Sequence, residues 1–227
     1  MYGELPMAAV GESIYDELET KVIFFNHKLK EYLQKPKVPD LKLDLGIDGL
    51  KIKGKVEHLH EPGLILYRYA AVRAKDFLLA WIYHLILNSY EQAGLTRNTI
   101  LAGVDTLNNG NWSGWIFKPV DDAIKNLSQM LDIYWRGLNS PIRFFPESAL
   151  VYVENLHDPK KDETAALNAA YGKWQGSDRE GEHFPGEGKD PYFWRCFRHE
   201  ENPLNDEFKR LACEVYEPLL ACREELG

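Results

Sequence analysis

Apolar residues recur along the first part of the chain at the spacing of one helix face. Ile14, Leu18, Val22, Phe25, Leu29 and Tyr32 step by four, four, three, four and three, which predicts an amphipathic helix over 11–34. Glu12, Asp16, Glu19, Lys28 and Glu31 fall on its solvent side, and Pro36 and Pro39 end it. The period then changes to two. Leu41, Leu43 and Leu45 alternate with Lys42 and Asp44; Leu50, Ile52, Gly54 and Val56 alternate with Lys51, Lys53, Lys55 and Glu57. Asp48-Gly49 joins the two runs as a hairpin turn. Pro62-Gly63 marks a second turn before a third strand, Leu64 to Tyr69, so the pattern predicts a three-stranded antiparallel meander.

Residues 74–93 are apolar nearly all round, with Phe77, Leu78, Leu79, Trp81, Ile82, Leu85 and Ile86, and read as a buried helix against the sheet. Thr99 to Leu107 and Trp112 to Val120 flank Asn109-Gly110 as a second hairpin. Ile124, Leu127, Leu131 and Tyr134 mark a helix, 141–145 a short strand, and Pro146-Glu147-Ser148 the start of a helix through about Leu156. A charged run from Asp158 to Glu163 leads into an Ala-rich helix near 163–173. Gly176, Gly181, Gly186 and Gly188 then read as a long surface loop. After Asn202-Pro203, a final helix carries Leu204, Phe208, Leu211, Val215, Leu219 and Cys222 on one face, with Pro218 as a kink. Helix, strands, buried helix, hairpin and helix in that order predict an α/β fold around a central mixed sheet flanked by helices.

Composition narrows the function classes. The 227 residues are 44% hydrophobic and 27% charged, values of a globular chain. No apolar run approaches a membrane span. The start of the chain has neither a basic nor an apolar leader region, so no secretion is expected. Cys196, Cys213 and Cys222 are odd in number and widely spaced, which fits three buried, reduced thiols in a cytoplasm. A net charge of −8 argues against an autonomous nucleic-acid binder but leaves room for a local basic stripe. Lys51, Lys53 and Lys55 form one, able to touch phosphates or simply to solvate an edge strand.

Other candidate chemistry is weaker. In a strand His58 and His60 share a face and offer two metal ligands, yet nothing at metal-ligand spacing completes the set. Exposed polar residues leading into a turn are their ordinary reading. Gly186-Glu187-Gly188-Lys189-Asp190 is not a phosphate-binding loop. Trp112, Trp115 and Phe117 offer stacking platforms for bases, but at strand spacing Trp115 and Phe117 share a face, which makes a buried sheet face the expected use. No cofactor and no metal are expected.

The order of elements resembles the PD-(D/E)xK nuclease core, a restriction-endonuclease-like fold. In its active members one strand carries Gly-x-Ile-Asp, the next Asp-Tyr-Lys, and the following helix a Gln. Two carboxylates hold a divalent metal and the lysine orients or activates the attacking water. Here Gly54-Lys55-Val56-Glu57 keeps one acid, Leu66-Tyr67-Arg68 stands for Asp-Tyr-Lys, and Leu79 stands at the Gln. The resemblance thus implies a degenerate site at Glu57, Leu66, Arg68 and Leu79 with no catalytic residue.

That degenerate pattern resembles the C-terminal domain of exodeoxyribonuclease V gamma subunits, the RecC family. The likeness includes Leu5-Pro6 with Gly11, Gly63-Leu64-Ile65-Leu66-Tyr67-Arg68-Tyr69 and Trp81-Ile82-Tyr83-His84-Leu85. It continues through Trp115-Ile116-Phe117-Lys118-Pro119 and Tyr134-Trp135-Arg136-Gly137-Leu138 to Pro146-Glu147-Ser148, Gly186-Glu187-Gly188 and Phe193-Trp194-Arg195. The resemblance implies a nuclease-like domain without activity in a cytoplasmic helicase–nuclease that processes broken duplex ends for recombination. Its partners there are DNA and the beta and alpha subunits, with no membrane. By the same likeness the chain is a single domain excised from a longer subunit, with Met1 added. It has a core with the sheet over 1–156, a charged, Gly-containing segment over 157–190 that orders against DNA or a partner, and C-terminal helices over 191–227. Two alternatives remain open: an active metal-dependent nuclease using Glu57, and a metal-binding hydrolase built on His58 and His60.

Overall fold

The structure, a computed structural model, describes residues 9–90, 96–105, 111–179 and 182–226. The chain forms two compact units, one of Met1–Val72, Tyr90–Pro119 and Glu224–Gly227, the other of Arg73–Ser89 and Val120–Arg223.

The first unit opens with α1, Ala9–Leu33. The Gln34 amide donates to the Lys30 carbonyl at 2.9 Å, and Pro36 allows no further turn. Phe25 and Leu29 are buried, but Ile14 and Leu18 are exposed. The apolar stripe expected over 11–34 is therefore covered only in its second half.

Strands β1 (Leu41–Ile47) and β2 (Leu50–Val56) pair in seven-residue register from Leu41↔Val56 to Ile47↔Leu50. Asp48 and Gly49 close the turn at φ 49° and 80°, the left-handed pair that a tight hairpin needs. This hairpin is a two-stranded sheet of its own, so the three-stranded meander does not form. The reason is local. His58 has a φ of 61°, which breaks the extended chain after Val56.

The chain resumes as the short β3 (Leu59–His60), antiparallel to β4 (Gly63–Ala71). Strand β4 runs parallel to β5 (Thr99–Asp105), a pairing that the expected meander does not contain. Strand β5 is antiparallel to β6 (Asn111–Phe117) from Thr99↔Phe117 to Asp105↔Asn111. The second hairpin thus pairs as expected, and its Asn109-Gly110 turn lies outside the described residues. A last strand, Arg223–Leu226, adds beside β6 to complete a mixed five-stranded sheet. Ile65, Ile100, Ala102 and Val104 pack with Phe25 and Leu29 of α1, and Leu226 lies against the same cluster. Trp112 stacks on Tyr32 with ring centroids 6.2 Å apart, so its ring serves this core.

The second unit holds α2 (Ala74–Asn88), α3 (Ala123–Asn139), α4 (Pro146–Leu156) and α5 (Glu163–Gln175). The pair β7 (Gly176–Arg179) and β8 (Glu182–Pro185) follows, then a 3-10 turn at Glu187–Lys189, α6 (Pro191–Phe197) and α7 (Asp206–Cys222). The segment read as a long loop is therefore a hairpin, a 3-10 turn and the approach to α6. Residues 141–145 form no strand. Phe145 is extended as the residue that opens α4, its carbonyl accepts from the Ala149 amide at 2.7 Å, and its ring is the hub of this unit's core. Trp174 lies 4.3 Å from it, Phe193 and Phe197 each 5.1 Å, and Phe208 6.0 Å, centroid to centroid.

Helix α2 is not buried all round. Phe77, Ala80, Trp81 and Leu85 are buried, whereas Leu79 and Ile82 form an exposed stripe. Cys196 is also exposed, so the expected trio of buried thiols holds only in part. The chain is α/β with a mixed sheet, as its element order implied, and with the Arg223–Leu226 strand as β9 it carries seven α-helices among the described residues. Among those residues no helix is long and apolar enough to cross a membrane.

Candidate functional site

Glu57 sits where β2 gives way to β3. The β3–β4 ladder pairs Leu59 with Leu64 and His60 with Gly63. It extends one step, since the Ile65 amide donates to the His58 carbonyl at 3.2 Å. The left-handed His58 ends the ladder there, so Glu57 lies outside it. Glu57 is exposed and accepts from Lys55 Nζ at 2.5 Å. That lysine hydrogen bond, with the ammonium's charge, holds the Glu57 carboxyl below its usual range, and Glu57 in turn raises Lys55.

Leu66 is half-buried on β4 and Arg68 is exposed two residues on. Their spacing places both on one side of the strand. The β4–β5 register shifts between Tyr67↔Ala102 and Ala71↔Val104, so Arg68 stands in an irregular stretch of the sheet. Such irregularities re-aim side chains. Leu79 lies on the exposed stripe of α2, in the other unit, at 52% exposure. The donors fit a catalytic divalent cation poorly. The Glu57 carboxylate is engaged by a lysine, Leu66 is a hydrocarbon, and Arg68 offers no lone pair. Among the described residues no three of His, Cys, Asp and Glu come together as a metal-holding group.

His58 and His60 do not share a strand face. The left-handed backbone of His58 puts it outside β3, and His60 Nδ1 lies 3.0 Å from the Lys35 carbonyl. The basic stripe is built as expected. Lys51, Lys53 and Lys55 are exposed on one face of β2, while Ile52 and Val56 turn inward. The register adds Lys42, opposite Lys55, and sets Asp44 opposite Lys53. Four lysines thus share a face with Asp44, and Lys55 among them is paired with Glu57.

An interaction that the sequence does not disclose joins two short motifs of the second unit. The Glu187 carboxylate accepts from the Glu147 amide at 2.9 Å, the Ser148 amide at 2.8 Å and the Ser148 hydroxyl at 2.7 Å. It caps the open N-terminus of α4, where Pro146 has already removed one donor. Glu147 in turn accepts from the Ala74 amide at the start of α2, at 3.3 Å. Both flanking glycines are dictated by space. A methyl on Gly186 would stand 2.2 Å from the Gln175 carbonyl carbon, and one on Gly188 2.7 Å from the Trp174 indole. Burial pushes the Glu187 carboxyl up, opposed by its hydrogen bonds to Glu147 and Ser148 and reinforced by the Glu147 charge.

The chain matches the sequence profile of the RecC C-terminal domain over residues 2–157. It belongs to that family. It is also 24% identical over 204 residues to the RecBCD enzyme subunit RecC of Escherichia coli (strain K12), covering 86% of this chain and 17% of that protein. The chain therefore spans about a sixth of the curated relative that it matches. The matched RecC span contains the hairpin, Glu57, Leu66, Arg68, Leu79 and the Pro146-Glu147-Ser148 start of α4. Glu187, which caps that start, lies beyond it.

Proposed function

We propose that this RecC C-terminal domain is a nuclease-like module without intrinsic activity in an exodeoxyribonuclease V complex of the RecBCD type. In this reading the whole chain serves as one restriction-endonuclease-like domain of the cytoplasmic enzyme. It guides DNA strands and docks the beta and alpha subunits during repair of double-strand breaks by recombination. The observation that carries the reading is that Glu57 is engaged by Lys55, while Leu66 on β4 brings no second carboxylate. A metal-dependent hydrolase needs a second oxygen donor at that place, and a leucine supplies none. The DNA-facing element is the lysine face of the β1–β2 hairpin, since Lys51, Lys53 and Lys55 are exposed together and phosphate contacts require exposed cations rather than base-reading groups.

The test is a cleavage assay on linear duplex and single-stranded DNA with magnesium or manganese, beside Glu57→Ala. Neither protein should cleave. Cleavage by the parent that disappears in Glu57→Ala would establish a live site and sink the reading.

A further inference from the structure

Helix α6 sends Phe193 and Phe197 inward to the Phe145 ring. Its outward arc is unusual for a chain of charge −8. Tyr192 is 82% exposed and Trp194 52% exposed. Arg195, Arg198 and His199 are exposed beside them. At 3.6 residues per turn, Trp194, Arg195 and Tyr192 lie with Pro191 on the arc opposite the two phenylalanines, and Arg198 and His199 follow in the turn that ends the helix. The Arg198 guanidinium lies 4.6 Å from the Trp194 ring centroid, and its Nε donates to His199 Nε2 at 3.0 Å.

The arc contains no carboxylate. Among the described residues neither Arg195 nor Arg198 is paired with one. The neighbouring acids are largely engaged: Asp190 accepts from the Tyr192 and Phe193 amides at the start of α6, and Glu200 binds Arg143 at 2.9 Å, which leaves Glu201. Two flat rings and two guanidinium groups on an acid-free arc match a flexible polyanion with exposed ring faces.

We infer that α6 is a binding face for single-stranded nucleic acid, with unpaired bases stacking on Tyr192 and Trp194 and phosphates meeting Arg195 and Arg198. Duplex DNA hides its base faces, so the rings select single strands. A protein surface is the poorer match, because the arc's one aliphatic side chain is Pro191 and its two guanidinium groups meet no carboxylate among the described residues. The exposed end of α3 shows the contrast: Tyr134, Trp135 and Leu138 are apolar, and Arg136 beside them already binds Glu207 at 3.2 Å. The inference deepens the DNA-guiding reading, and rests on it for the source of the strand.

Fluorescence anisotropy with a labelled oligo-dT and a duplex of equal length, at low salt and with the 227-residue chain, tests both. Trp194→Ala is expected to weaken oligo-dT binding about tenfold, the scale of one base stack, and to leave duplex binding unchanged. The triple variant Lys51→Gln/Lys53→Gln/Lys55→Gln is expected to weaken duplex binding. Thermal melts confirm that both variants fold. Equal oligo-dT binding by parent and Trp194→Ala overturns the inference while the DNA-guiding reading stands on the lysine result. Loss of association with partner subunits in place of oligo-dT binding would assign the face to protein and overturn it too. If the parent binds neither nucleic acid, both fall.

Discussion

Glu187 joins two tripeptides forty residues apart into one structural lock. Its carboxylate satisfies two backbone amides that the start of α4 leaves open, and a hydroxyl besides. Removing such a cap costs about 0.5–2 kcal/mol. Glu187→Ala should therefore lower the melting temperature, and Gly186→Ala should lower it further, since a methyl 2.2 Å from a backbone carbon forces the chain to move. The pH dependence has a definite sign. Burial raises the folded-state value above the ordinary 4.5, so the group's contribution is fully present below about 4.5 and lost as pH rises through the raised value. The stability gap between the parent and Glu187→Ala, measured by denaturant titration, should narrow as pH rises from 4.5 toward neutrality. A gap that widens would mean that the hydrogen bonds to the carboxylate outweigh its burial. None of this is legible in the sequence, where Gly186-Glu187-Gly188 fails as a phosphate loop and offers no other role. A carboxylate that caps a distant helix has no local signature, whereas Asp162, which caps its own helix by accepting from the Ala165 amide at 2.7 Å, does.

The β1–β2 hairpin is the element most fully legible in the sequence. Alternation fixes its two faces, Asp48-Gly49 fixes its turn, and the register follows. Its setting is not legible. The left-handed His58 separates it from the strands that follow, and nothing in Glu57-His58-Leu59-His60 announces a positive φ. Helices α1 and α2 show the converse failure. Their apolar positions are plain in the sequence, but periodicity cannot say where the partner surface stops. Ile14, Leu18, Leu79 and Ile82 therefore read as interior residues and are exposed. The candidate site's side chains are legible in the sequence, since Glu57, Leu66, Arg68 and Leu79 are an acid, two hydrocarbons and a cation in any register. Its irregular β4–β5 pairing at Arg68 is not. At this scale the lysine face predicts a salt effect. Each phosphate that a variant leaves unneutralised lowers the slope of log K against log salt by about 0.9 for duplex DNA. Lys51→Gln, Lys53→Gln and Lys55→Gln should each flatten the slope measured by anisotropy, and should leave the melting temperature nearly unchanged, since all three side chains are exposed. An unchanged slope in the triple variant would overturn the proposed role of the hairpin in meeting DNA.

At the scale of the whole chain, the path of the backbone decides what can fold alone. Neither unit is continuous in sequence: the chain changes unit after Val72, Ser89, Pro119 and Arg223. The sheet of the first unit is completed by β9, where Leu226 joins the core cluster and Glu224 binds Lys118 at 3.1 Å. In the second unit the Tyr216 hydroxyl of α7 donates to the Pro146 carbonyl at 3.1 Å, and Phe208 packs on Phe145 and Tyr152. A fragment ending at His157, the last residue of the span that matches the RecC profile, lacks β9, α7 and the Glu187 cap together. It leaves the edge of β6 without its neighbour and Phe145 without four of its aromatic partners, Trp174, Phe193, Phe197 and Phe208. Losing one large aromatic from a core costs about 3–5 kcal/mol, and a domain of this size has only about 5–15 kcal/mol in total. The fragment 1–157 should therefore show no cooperative thermal transition by circular dichroism, and rapid amide exchange through β5 and α4. The 227-residue chain should melt cooperatively and protect both. A cooperative transition in the fragment would show that the profile-matched span carries a self-sufficient core, and that residues after His157 are an appendage to it.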